Sequence, residues 1–137
     1  MKKIKFKNEF WCIVTARKDS KSIKRKNIVK IKGKELIKYS FDEIKKLKND
    51  IKKTIVSTDD PVIKKISKKY SFEIIHRNSK LSGDLVNSVD VILDVLNKCL
   101  LKYQYLPKFF FLIQPTSIFL KSNHIKQLQK FLKKGNY

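Results

Sequence analysis

The sequence predicts an α/β fold with a mostly parallel sheet and helices on both faces. Three observations carry that prediction. Short apolar runs alternate with segments of helical period, the pattern of βαβ units. The runs are apolar at successive positions, as in strands buried on both sides. Three of them also end in polar loops, where the ligand of an open parallel sheet is expected.

The first nine residues, Met-Lys-Lys-Ile-Lys-Phe-Lys-Asn-Glu, read as a basic, frayed or edge lead-in. Phe10 to Thr15 is the first strand. A loop from Ala16 to Asn27 follows, with Arg17, Lys18, Lys21, Lys24, Arg25 and Lys26 interleaved with Ser20, Ser22 and Asn27. The Lys32-Gly33-Lys34 turn leads into a helix whose apolar positions are Leu36, Ile37, Phe41, Ile44 and Leu47, ending at Asn49-Asp50. Ile51 to Ser57 is the second strand. In Thr58-Asp59-Asp60-Pro61 a short polar side chain can cap a helix that starts on proline. That cap reading is preferred over a metal-binding pair. The helix runs to about Lys69, with Val62, Ile63 and Ile66 inward. Ser71 to His76 is the third strand, and a polar loop spans Arg77 to Asp84. A helix from about Asn87 to Tyr103 carries the stripe Val89, Ile92, Leu93, Leu96, Cys99 and Leu100. Phe109 to Ile113 reads as a strand buried on both faces, followed by the loop Gln114 to Ser117. A last helix, about Asn123 to Lys134, turns Ile125, Leu128, Phe131 and Leu132 inward. No closing strand follows it, so one domain over 1–137, incomplete at its C-terminal end, is expected.

The 137 residues are enough for one domain with a core. No apolar run reaches the length that spans a bilayer, and no signal peptide is read at the start. Cys12 and Cys99 sit in apolar runs without metal-ligand spacing, which predicts two buried thiols in a reducing compartment, with a disulfide as the lesser alternative. The net charge of +21 admits a nucleic-acid binder. The cations, however, are almost all lysine, with arginine only at positions 17, 25 and 77, and they are spread over every predicted helix. Compositional bias with non-specific attraction to polyanions is the preferred reading. Neither an aromatic stacking platform nor a recognition motif argues for more. His76 and His124 lack companions for catalysis.

Parallel topology would gather the loops Arg17 to Asn27, Arg77 to Ser88 and Gln114 to Ser117 on one edge of the sheet. Their cations, hydroxyls and amides suit a polyanionic, hydroxyl-rich ligand such as a nucleoside triphosphate with a sugar. The segment Ala16-Arg17-Lys18-Asp19-Ser20-Lys21-Ser22-Ile23-Lys24-Arg25-Lys26-Asn27 resembles the Ala-Arg-x-Gly-Ser-Lys-Gly-(Ile/Leu)-Pro-x-Lys-Asn signature of acylneuraminate cytidylyltransferases, the CMP-sialic acid synthetases. Gly33-Lys34-x-Leu36-Ile37, Val56-Ser57-Thr58-Asp59, Arg77 to Asp84, Ser88-Val89-Asp90-Val91 and Leu112-Ile113-Gln114-Pro115-Thr116-Ser117 resemble that family's later motifs, in the same order. Asp19 and Ser22 stand where the signature has glycines, and Lys24 where it has proline.

The resemblance implies a Rossmann-like, three-layer nucleotidyltransferase fold, apparently truncated here. It implies transfer of CMP from CTP to a sialic-type (nonulosonic) acid with release of pyrophosphate. Arg17 and Lys21 would be catalytic, neutralising phosphate charge with help from Ser20. Asn27, Arg77 and Ser88 would bind the nucleotide, and Gln114 would face the acceptor sugar. Magnesium is the implied cofactor, with ligands beyond Tyr137. A homodimer is allowed for and a cytoplasmic location is expected; no membrane partner is expected, from the lack of a long apolar run. The alternatives are an inactive nucleotide-binding homologue or fragment and, ranked below it, a basic nucleic-acid-binding domain.

Overall fold

A computed structural model describes residues 2–19, 23–83 and 86–135 of the chain. Its centre is a parallel sheet of four strands, β1 (Phe6–Ala16), β4 (Lys53–Thr58), β5 (Glu73–His76) and β6 (Leu106–Ile113), in the order β5-β4-β1-β6. A two-stranded antiparallel hairpin, β2 (Lys30–Ile31) and β3 (Lys34–Glu35), stands apart from it. Its turn residues Lys32 and Gly33 both have positive φ, 51° and 79°, the geometry of tight hairpin turns.

Four α-helices complete the layers: α1 (Leu36–Lys45), α2 (Pro61–Lys69), α3 (Ser88–Tyr103) and α4 (Ser122–Lys133). On one sheet face, Phe10, Cys12, Val14 and Ala16 pack with Ile37, Phe41 and Ile44 of α1, Ile63 and Ile66 of α2, and Ile125 of α4. On the other, Trp11, Ile13 and Ile55 pack with Val95 and Cys99 of α3. Alternate residues of β1 thus feed different cores, as the two-residue strand period requires. This is the three-layer α/β arrangement predicted. No described helix is long and apolar enough to cross a membrane.

Several expectations are corrected. The first strand begins at Phe6 instead of Phe10, because Phe6 and Lys7 pair with Leu106 and Pro107 beyond an irregularity in the register. Ile51 and Leu47 are buried but lie in the connection between α1 and β4. The third strand starts at Glu73, after Ser71 turns the chain with a φ of 60°. The predicted stripe on α3 is rotated: Val91, Val95 and Cys99 are buried, whereas Val89 and Leu93 are 61% and 51% exposed. Val62 on α2 and Leu128 and Phe131 on α4 are likewise exposed, and Gln129 is buried in their place, its amide donating to Asp50 O. The Phe109–Ile113 strand is not buried on both faces. As β6 it forms the sheet edge, with its three phenylalanines half-buried and Leu112 exposed. Both cysteines are buried free thiols.

Candidate functional site

The carboxyl ends of β1, β5 and β6 open onto one cavity of about 260 Å³. Its lining comes from all three of the loops singled out above: Arg17 and Asn27 from the first, Arg77 and Ser88 from the second, Gln114 and Thr116 from the third. Parallel topology is the cause, since every strand that enters from the same side delivers its following loop to the same edge. Ser20 and Lys21, expected to face the phosphates, lie outside the described residues. His76 and His124 are engaged elsewhere: the His76 ring is 2.8 Å from Lys64 Nζ, and His124 Nδ1 accepts from the Lys121 backbone N–H.

Each described side chain is held by a local device. Asn27 is buried within a 3-10 turn, Lys26–Ile28, and its Nδ2 donates to Arg17 O over 2.9 Å. It therefore closes the loop that carries Arg17, a positioning task in addition to the ligand contact expected of it. Arg17 Nη1 reaches Ser82 O at 3.4 Å, so the first and second loops meet. Arg77 follows β5 directly. Its backbone N–H donates to Thr58 O at 2.9 Å and its Nε to Leu81 O at 2.7 Å. It is 7% exposed. Burial pushes its guanidinium below the usual arginine value; Asp59 and Asp94 act against that shift, and neighbouring Arg17 adds to it. A cation so held has surrendered hydration and gains most from an anion in the cavity. Ser88 is the first residue of α3, which is capped by the Asn87 side chain through Asp90 N at 2.9 Å. The positive end of a 16-residue helix therefore also faces this side.

Sequence reasoning passed over Lys26, Thr15 and Gly83 as lining residues. The signal for Lys26 was available, because it stands beside Asn27 in the signature stretch. It also passed over the contacts that Asp59 and Asp60 make with the first loop. Asp60 does cap α2, accepting from Val62 N at 2.8 Å, as expected. It also pairs with Arg25, whose Nη2 lies 2.6 and 2.8 Å from its two oxygens. Asp59 Oδ1 accepts from Lys18 N at 2.7 Å. Among the described residues no three His, Cys, Asp or Glu side chains cluster closely enough to hold a metal ion. Both aspartates are thus engaged with the first loop, and Asp60 with α2 as well.

Comparison with known proteins places this arrangement. A cytidylyltransferase family model matches residues 11–137. The chain belongs to the cytidylyltransferase family. Among its curated relatives, N-acylneuraminate cytidylyltransferase of Streptococcus agalactiae is 32% identical over 121 residues, 88% of this chain and 28% of that protein. Post-translational flagellin modification protein B of Campylobacter coli is 38% identical over 90 residues, 65% of this chain and 38% of its own length. The chain thus spans well under half the length of these relatives. A solved CMP:2-keto-3-deoxy-manno-octonic acid synthetase, in complex with CTP, shares the fold with a TM-score of 0.68 at 19% identity, over 91% of this chain and 48% of that one.

Proposed function

We propose that this cytidylyltransferase-family chain, residues 1–137 as a single domain, binds CTP and transfers CMP to a sialic-type acid. The observation that carries this reading is the convergence of two arginines, a lysine, an asparagine, a serine and a glutamine on one cavity at the carboxyl edge of the sheet. In the reaction the acceptor's anomeric hydroxyl oxygen attacks the α-phosphorus. A new C–O–P linkage forms, the bond to the β-phosphate oxygen breaks, pyrophosphate leaves, and the hydroxyl proton passes to solvent. The chain's own contribution is electrostatic and positional. Arg17 and Lys21, with Ser20, meet the phosphates. Asn27 and Ser88 bind the nucleoside, with Arg77 beside them, and Gln114 faces the acceptor. A cavity of about 260 Å³ lies just below the ~300 Å³ lower bound for small-molecule sites, which fits one part of a two-substrate complex. Magnesium enters this reading with the triphosphate, and no described residue is assigned to it. A homodimer and a cytoplasmic location belong to the same reading.

Calorimetric titration with CTP and magnesium tests it. CTP is expected to bind more tightly than ATP, and Arg17→Ala or Lys21→Ala to weaken it. Equal heats for the two nucleotides, or unchanged affinity in both variants, would sink the site assignment. Pyrophosphate release with N-acetylneuraminic acid or a bacterial relative reports turnover. Binding without release would favour the inactive homologue, a reading to which Asp19 lends weight by placing a carboxylate where the signature has glycine.

A further inference from the structure

In the first loop Asp19, Ser22 and Lys24 stand where the signature has two glycines and a proline. Two contacts on its flanks come from the turn between β4 and α2. On one flank, Lys18 N–H donates to Asp59 Oδ1 at 2.7 Å. On the other, Arg25 donates to both oxygens of Asp60. Asp60 is fully buried and Arg25 about one-third exposed. Arg25 adopts a left-handed φ of 51°, a conformation that costs a bulky residue free energy and persists only where its surroundings impose it. The turn itself is internally tied: Asp60 N–H donates to Thr58 Oγ1 at 3.0 Å, Asp60 caps α2, and Thr58 O receives Arg77 N–H.

We infer that Asp59 and Asp60 are positioning residues, a clamp on both flanks of the first loop that sets where the loop meets the nucleotide's phosphates. The nucleotide half of this inference rests on the function proposed above; the clamp does not. Neither aspartate lines the cavity, so the pair acts through the loop. The same turn holds Arg77 through Thr58, and the residues it holds on the loop, Lys18 and Arg25, are chain neighbours of the cavity's Arg17 and Lys26.

Four proteins test the clamp: wild type, Asp60→Asn, Arg25→Met and the double variant. Each is measured for thermal unfolding, for amide exchange over residues 17–27, and for CTP affinity by calorimetry. Asparagine caps helices as well as aspartate does, so Asp60→Asn is expected to leave the unfolding temperature nearly unchanged. Loop exchange should accelerate and CTP binding weaken, each about tenfold, the loss of one good charge-assisted contact. Arg25→Met strands a buried carboxylate and is expected to lower the unfolding temperature. The double variant removes both charges and should recover that temperature without recovering loop protection or affinity. If loop protection in Asp60→Asn matches wild type, the clamp is wrong. The same holds if affinity and protection follow the unfolding temperature across the four proteins, since a purely structural pair would give that result. If the wild type binds no CTP, the proposed function and the nucleotide half of the inference both fall, while amide exchange still decides the clamp.

Discussion

At the amino end of the sheet, lysines lie against aromatic rings. Lys7 is 3.8 Å from the Tyr105 ring centre and Lys53 is 4.1 Å from that of Tyr103. Both tyrosines stack edge-on against Trp11, with centroids 5.9 Å away. At the carboxyl end, Arg17, Lys26 and Arg77 line an open cavity, with Asp59 and Asp94 acting on Arg77. At one end the cations are compensated by ring faces; at the other they line an open cavity. Net charge of +21 alone does not distinguish these ends; the neighbours of each cation do.

Trp11→Ala attacks the compensated end and should have the largest effect. It removes a fully buried ring, which costs about 3–5 kcal/mol in denaturant unfolding. If the loss is under about 1 kcal/mol, the amino-end cluster is not the anchor described. Arg77→Met attacks the open end. It is expected to cost about 1.5–3 kcal/mol of CTP binding free energy, read by calorimetry, with added stability loss from the freed Leu81 carbonyl. Lys53→Met is the matched control. It should leave CTP binding unchanged and cost about 0.5–1 kcal/mol of stability, the worth of an exposed cation–π contact. Weakened CTP binding in Lys53→Met would erase the distinction between the ends.

A pH effect sharpens the picture of the closed interior. Burial pushes the Cys12 thiol up to about 12 and the Cys99 thiol to about 11, Glu73 adding to the second. A folded-state value above the ordinary 9.0 means that the folded chain keeps its thiol protons where the unfolded chain loses them. That stability is complete below pH 9 and declines as pH rises through the folded values. The unfolding temperature should therefore fall between pH 9 and 11, less steeply in Cys12→Ala. At pH 8 neither thiol should react with iodoacetamide until the chain unfolds; rapid labelling of the native protein would contradict the packing.

The order of elements was legible because apolar runs and helical spacing are local properties of the chain. The Asp60 cap was legible for the same reason, with Pro61 directly after it. The orientation of α3 was not. Apolar residues cover more than half of its circumference, so spacing alone could not choose the stripe Val91–Val95–Cys99 over Val89–Leu93. The edge position of β6 was hidden too, since three consecutive phenylalanines look the same whether one neighbour strand or two accompany them. At the site, loop membership identified Arg17, Asn27, Arg77, Ser88 and Gln114 as neighbours. The pairings of Lys18 with Asp59 and Arg25 with Asp60 join residues 41 and 35 positions apart, and no local pattern announces them.

The edge strand β6 has a consequence for the protein in solution. Among the described residues, one side of its backbone has no partner strand and is flanked by half-buried phenylalanines and exposed Leu112, a template onto which another strand can add. Between two copies of this chain, the encounter is opposed by mutual repulsion at +21 each. That barrier is only as long-ranged as the ionic atmosphere allows, about 10 Å at 0.1 M salt and about 3 Å at 1 M. Colloidal behaviour should therefore invert the usual laboratory habit: dilute buffer keeps the molecules dispersed, and concentrated salt brings their edges within reach of each other.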